Sequence, residues 1–199
     1  MAGKVVAIIG SYRKHGTVDQ AVDAILAGAR ERGATTEKIF LIDEYIEFCT
    51  NCRACAQVPG PEWGKCVHKD GLEALLARIH AAEVLVLASP VNFGNATAIF
   101  RRFMERLTGA AYWPWGRLGP PSPRNKTQTK HAVLVISSAA PAFLARLFTG
   151  TRKTLKTTAK ILGARTVATL FIGPVPSTPE PKLSPSVLRR ARLIGLGVH

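Results

Sequence analysis

All four cysteines of the chain lie between positions 49 and 66, as Cys49-x-x-Cys52-x-x-Cys55 followed after ten residues by Cys66. Three thiolates at that spacing wrap one iron–sulfur cubane, and a fourth ligand comes from further along the chain. Zinc is the rival ion, since four cysteines also make a structural site, but zinc sites usually use two separated Cys-x-x-Cys knuckles and only one run occurs here. A loop of reduced thiols with no metal is the third reading. Incidental thiols in a reducing compartment are not clustered in this way. The nearby Arg53, Lys65 and Lys69 would offset the negative charge of a cluster, or simply belong to a solvated loop.

A second chemical feature stands at the start of the chain. Val5, Val6, Ala7, Ile8 and Ile9 form a short apolar run suited to a strand covered on both faces. Gly10 and Ser11 break it, and a helical pattern starts near Thr17 with Val18, Ala21, Val22, Ile25 and Leu26 at helical spacing. The helix N-terminus that follows such a loop attracts anions through its backbone N–H groups and its dipole; the alternative is a plain strand-to-helix turn. Ser11 and Thr17 add hydroxyls, and Arg13 adds a forked cation suited to phosphate. The loop is neither a Walker loop nor a dinucleotide-binding turn: five residues separate Gly10 from Gly16, and position 12 is Tyr.

The elements that must hold these residues read as alternating strands and helices. Helices are predicted over 17–32, 71–81, 98–107, 143–162 and 186–196, and strands over 5–9, 34–42, 84–88, 131–136 and 165–172. Asp70 is placed to cap the second helix. Segment 43–69 is an irregular loop holding every cysteine, 110–130 is an aromatic and proline-rich insertion, and 174–185 is a proline-rich connection. The pattern predicts a single α/β domain over 1–199, with a five-stranded parallel sheet and helices on both faces. Ligands of such sheets sit at the carboxyl ends of the strands, near the switch in strand order. The loops to search are therefore 10–17, 89–97 and 137–142.

A length of 199 residues fits one domain. No apolar run approaches a membrane span, and the N-terminus lacks a signal-peptide form, so a cytoplasmic protein is expected. Charge is uneven. Residues 1–100 hold 10 Lys/Arg against 11 Asp/Glu, and residues 101–199 hold 17 against 2. Such asymmetry fits an anionic partner or a solvated basic face. The basic residues are not interleaved with aromatics as single-strand nucleic-acid binders require. Arg101, Arg102 and Arg106 fall near one helical face, where they would attract a nucleotide phosphate or merely face solvent.

Together, the loop GSYRKHGT, the stretch Ser89-Pro90-Val91-Asn92-Phe93-Gly94-Asn95-Ala96-Thr97 and the cysteine loop resemble the NADPH-dependent FMN reductases, and within them the iron–sulfur flavoproteins. The resemblance implies a flavodoxin-like fold and bound FMN. It places the FMN phosphate at Ser11, Arg13, Thr17 and Val18, and the isoalloxazine ring along Pro90, Val91, Asn92, Phe93 and Gly94. Ser137, Ser138 and Ala139 close the pocket. It also implies a [4Fe–4S] cluster on Cys49, Cys52, Cys55 and Cys66. Thr17-Val18 stands where the family often has Asn-Thr, and Asn92 where it often has an aromatic residue.

The implied function is an oxidoreductase that moves electrons from NAD(P)H or a protein donor through FMN to a small-molecule or protein acceptor. The chain would work as a homo-oligomer, dimer or tetramer, with no obligatory acid–base side chain. The rival is a non-enzymatic electron carrier or redox-responsive binding protein that docks an acidic or nucleic-acid partner through its basic half. A response regulator, which shares the fold, is excluded because Gly10-Ser11 and Ser89 occupy the strand ends where it needs acids. The segment Tyr112-Trp113-Pro114-Trp115 is expected either to plug its own domain or to cover the flavin of a neighbouring subunit.

Overall fold

A computed structural model describes residues 3–198 except 120, 125, 126, 176 and 177, and except the side chains of 145 and 148. The chain runs β1 (Lys4–Ile9), α1 (Thr17–Glu31), β2 (Thr35–Phe40), α2 (Leu72–His80), β3 (Val84–Asn92), β4 (Asn95–Ala96) and α3 (Ala98–Glu105). It continues through β5 (Ala111–Tyr112), β6 (Ser122–Pro123), β7 (Lys130–Ser137), α4 (Ala142–Phe148), α5 (Thr151–Ile161), β8 (Ala164–Ile172) and α6 (Pro185–Gly197).

Five long strands pair in parallel in the order β2-β1-β3-β7-β8, while β4 returns antiparallel against the end of β3. This is the flavodoxin-like order, with its switch point between β1 and β3. Because side chains alternate across a strand, each central strand feeds two cores. Val6, Ile8, Leu85, Leu87 and Leu134 pack under α2, α3 and α5. Val5, Ala7, Ile9, Val86 and Val133 pack under α1 and α6. Burial on both faces is what made the strands read as unbroken apolar runs.

Helices α1 and α6 cross at close range through glycines. A Cβ on Gly195 would stand 1.9 Å from the Ile25 carbonyl oxygen, and one on Gly28 would stand 2.2 Å from that of Arg192. Gly33, at φ +83, ends α1 as expected, and its N–H donates to the Arg30 carbonyl.

Two predicted elements differ most in extent. The helix expected over 143–162 is two helices broken at Thr149-Gly150, because the Gly150 N–H leaves the helical ladder to donate to the Gly94 carbonyl at 2.7 Å. The third strand extends past Ala88 to Asn92, since Ser89 and Pro90 continue the register against Ile136 and Ser137.

Candidate functional site

The loops after β1, β3 and β7 meet at the carboxyl edge of the sheet around a cleft of about 420 Å³, within the usual range for small-molecule sites of roughly 300–1,000 Å³. Helix α1 starts at this cleft. Its cap residue is Gly16, which supplies no capping side chain, so the first N–H groups of the helix lack a side-chain acceptor. Gly16, Thr17 and Val18 line the cleft, together with Ser11 and Arg13. Ser11 is buried, and its hydroxyl accepts the Arg13 N–H at 3.1 Å, which folds the loop back on itself. The Arg13 side chain stays exposed.

The second wall is Pro90, Val91 and Asn92. Past it the chain makes a two-residue hairpin. Asn92 pairs with Asn95, and Phe93 and Gly94 between them have φ of +47° and +76°, the left-handed pair of a tight β-hairpin turn. Phe93 is fully exposed at this tip, and neither it nor Gly94 is among the residues lining the cleft. The flat wall is therefore shorter than the resemblance implied. The ladder between Val91-Asn92 and Asn95-Ala96 occupies backbone groups at the end of this wall.

Thr97 ties the first two loops together. Its hydroxyl donates to the Gly10 carbonyl at 2.5 Å and accepts the Phe100 N–H at the start of α3, while its own N–H donates to the Ser89 hydroxyl. Gly10 is required at this junction, since a Cβ there would meet Phe100 Cβ at 2.7 Å. Asn95 holds the hairpin from behind by accepting the Thr154 hydroxyl at 2.7 Å.

Ser137, Ser138 and Ala139 form the third wall. The Ser138 N–H donates to the Ile172 carbonyl, and the Ser138 carbonyl accepts the Val175 N–H. Ten of the twelve expected binding residues thus surround one cleft. Tyr12, Gly16, Val175 and Pro181 also line it and were not expected. Tyr12 accepts the Ile99 N–H through its hydroxyl at 3.2 Å. Pro181 is held in the lining by Gln20, whose amide donates to the Pro181 carbonyl at 2.7 Å and accepts the Leu183 N–H. A polar residue one turn inside an amphipathic helix was the available signal.

The four cysteines line a separate, smaller cavity of about 20 Å³ together with His68 and Arg106. Cys52 is exposed and the other three are half-buried. Burial, then the neighbouring Cys66, Cys49 and Cys52, pushes the Cys55 thiol up from its ordinary value. All-thiol donors suit an iron–sulfur cluster, so the donor set fits in its chemistry. Among the described residues, however, no group of three or more His, Cys, Asp or Glu is arranged to hold a metal ion. The thiols are gathered and not closed around a centre.

Arg106 departs from the solvated face expected of it. Its guanidinium is shut from solvent against the Asp70 carboxylate, and it also donates to the Glu47 carbonyl and to Cys66 Sγ. Burial pushes Asp70 up, but hydrogen bonds from Arg106 and from the Glu47 and Leu72 N–H groups outweigh it and hold the carboxyl below its usual range. Asp70 thus meets the start of α2 as expected and anchors the cysteine loop as well.

The aromatic segment lies on its own domain. Arg53, itself at φ +56, stacks over Trp113 at 3.6 Å and Trp115 at 4.4 Å. The Trp113 backbone N–H donates to the Ala56 carbonyl. Arg124 donates to the carbonyls of Gly109, Gly60 and Cys55, so the insertion clasps the cysteine loop from outside.

The chain is 32% identical over 111 residues to an iron–sulfur flavoprotein of Archaeoglobus fulgidus, covering 56% of this chain and 48% of that one; it spans about half the length of the curated relatives it matches. The NAD(P)H:quinone oxidoreductase of Methanothermobacter marburgensis shares the fold, with TM-score 0.70 at 18% identity over the whole of both chains. So does an archaeal flavodoxin, with TM-score 0.56 at 11% identity over 98% of this chain and 95% of that one. No helix among the described residues is long and apolar enough to cross a membrane. With the family's sequence model matching residues 3–172, the chain belongs to the NADPH-dependent FMN reductase family.

Proposed function

We propose that this chain is an FMN-dependent oxidoreductase that takes electrons from NAD(P)H or a protein donor and passes them to an acceptor through a [4Fe–4S] cluster on Cys49, Cys52, Cys55 and Cys66. The carrying observation is the uncapped start of α1 at Gly16 on the wall of the strand-end cleft. A dianionic tail satisfies the first N–H groups there, helped by the Ser11 and Thr17 hydroxyls and the Arg13 guanidinium. Pro90, Val91 and Asn92 form the side on which a flat ring would lie. FMN supplies hydride acceptance and one- or two-electron transfer when bound.

The protein contributes orientation and electrostatics. Thr97 keeps the phosphate loop and the ring wall in one register, and Gln20 holds Pro181 in the cleft lining. The Arg106 guanidinium at Cys66 stabilises negative charge on the thiol ring. The name of the Archaeoglobus relative, an iron–sulfur flavoprotein, supports the pairing of the two sites.

Anaerobic purification with FMN and iron, followed by absorption spectroscopy, tests this reading. Flavin bands near ~450 nm and a broad brown shoulder are expected. A colourless protein under saturating FMN overturns it. NAD(P)H oxidation with a quinone or free flavin separates the enzyme from the carrier, which would show a redox-active flavin without pyridine-nucleotide turnover.

A further inference from the structure

A third cavity lies between α2 and the cysteine loop. It measures about 570 Å³ and shares no lining residue with the strand-end cleft. Its apolar side is Trp63, Leu72, Leu76 and Ala77. Trp63 meets His80 edge to face, with ring centroids 4.9 Å apart and planes inclined at 66°, which gives the cavity an aromatic corner. Such a corner favours a further ring over an aliphatic chain.

The polar side carries net positive charge. Lys65 and Lys69 are exposed at the rim against the single unpaired acid Glu73, since Asp70 is spent on Arg106. Desolvation, then Lys130, holds the His80 imidazole below its ordinary pKa, which favours the uncharged ring.

The far wall is common property. Cys55, Cys66, His68 and Arg106 line both this cavity and the thiol cavity. On that wall His68 Nε2 is shut from solvent and has no hydrogen-bond partner. A buried imidazole nitrogen left unsatisfied is costly, and the residue that carries it lines this cavity.

We propose that this cavity binds a planar aromatic anion, with its ring in the Trp63–His80 corner and its charge toward Lys65 and Lys69. The class includes sulfonated and carboxylated quinones, which would then lie against the wall that carries two of the four thiols. The proposal concerns binding and goes beyond the flavin reading, since it holds whether or not the strand-end cleft takes FMN.

The test is calorimetric titration of anthraquinone-2-sulfonate into the full chain, with and without saturating FMN. Saturable one-to-one binding that FMN does not displace is expected. Ala77→Trp, at an exposed position of the lining where added bulk does not threaten the fold, should weaken it by about tenfold or more. The double variant Lys65→Glu/Lys69→Glu should weaken the sulfonate by about threefold or more while leaving the uncharged quinone menadione unchanged. Absence of saturable binding, displacement by FMN, or an affinity untouched by Ala77→Trp would overturn the proposal.

Discussion

The Arg106 guanidinium donates to the Asp70 carboxylate at 2.6 Å while both side chains are only 1% exposed. The same guanidinium reaches Cys66 Sγ at 3.3 Å and the Glu47 carbonyl at 2.7 Å. One buried cation therefore joins the end of α3, the start of α2 and both ends of the cysteine loop.

Breaking this pair from one side strands a charge in the interior. Asp70→Asn and Arg106→Met are each expected to cost about 3–5 kcal/mol, measured by urea denaturation, and the double variant Asp70→Leu/Arg106→Met should recover much of that loss.

Acid should weaken the β2 edge through Glu37. Hydrogen bonds from Lys4 and Arg78 lower its pKa, with Lys4 Nζ at 2.7 Å. A carboxylate depressed in the folded state stabilises above its unfolded pKa, and that contribution is lost as pH falls through the folded one. Urea midpoints should therefore fall more steeply between neutral pH and acid for the native chain than for Glu37→Gln.

If the uncapped start of α1 holds a phosphate, Arg13→Ala should separate two ligands. FMN affinity should fall by roughly tenfold to a hundredfold, the loss of one charge-assisted hydrogen bond. Riboflavin, which lacks the phosphate, should bind both proteins equally in a fluorescence-quenching titration.

Thr97→Val removes the hydroxyl that donates to Gly10 and accepts from Phe100. It leaves a buried carbonyl without its partner, so a stability loss of about 1–3 kcal/mol is expected. FMN should also bind more weakly, because the two loops lose their shared register. Unchanged affinity in the face of lower stability would show that the loops are positioned independently.

Close backbone approach in the cysteine loop predicts intolerance of one methyl group. A Cβ on Gly64 would fall 1.6 Å from the Cys55 carbonyl oxygen. Gly64→Ala should cost roughly 1–3 kcal/mol or more and speed alkylation of Cys55 and Cys66. Gly197→Ala, where a Cβ meets nothing within 4 Å, should stay within about 0.5 kcal/mol of the native protein.

The sheet was legible because its signals are local. The run Val5–Ile9 is apolar on both faces, and topology alone then directs attention to the loops after β1, β3 and β7. Ten of the cleft residues followed from that rule and from the family likeness. Phe93 escaped because its exposure depends on a two-residue hairpin set by the pairing of Asn92 with Asn95, which periodicity does not reveal. Arg106 escaped because its partner Asp70 lies 36 residues away, and its helical face looks solvated until α2 arrives. The Arg53 stack on Trp113 and Trp115 is likewise a meeting of two irregular segments with no periodic trace.

Helix α6 lies beyond residue 172, where the family match stops, yet its backbone presses directly on α1 at Gly28 and Gly195. Ala191 and Val198 join Val22, Ile25 and Ala29 in the same core. A chain cut after residue 172 would bare a greasy flank on the helix that opens at the strand-end cleft, and such a shortened protein should self-associate or fall out of solution.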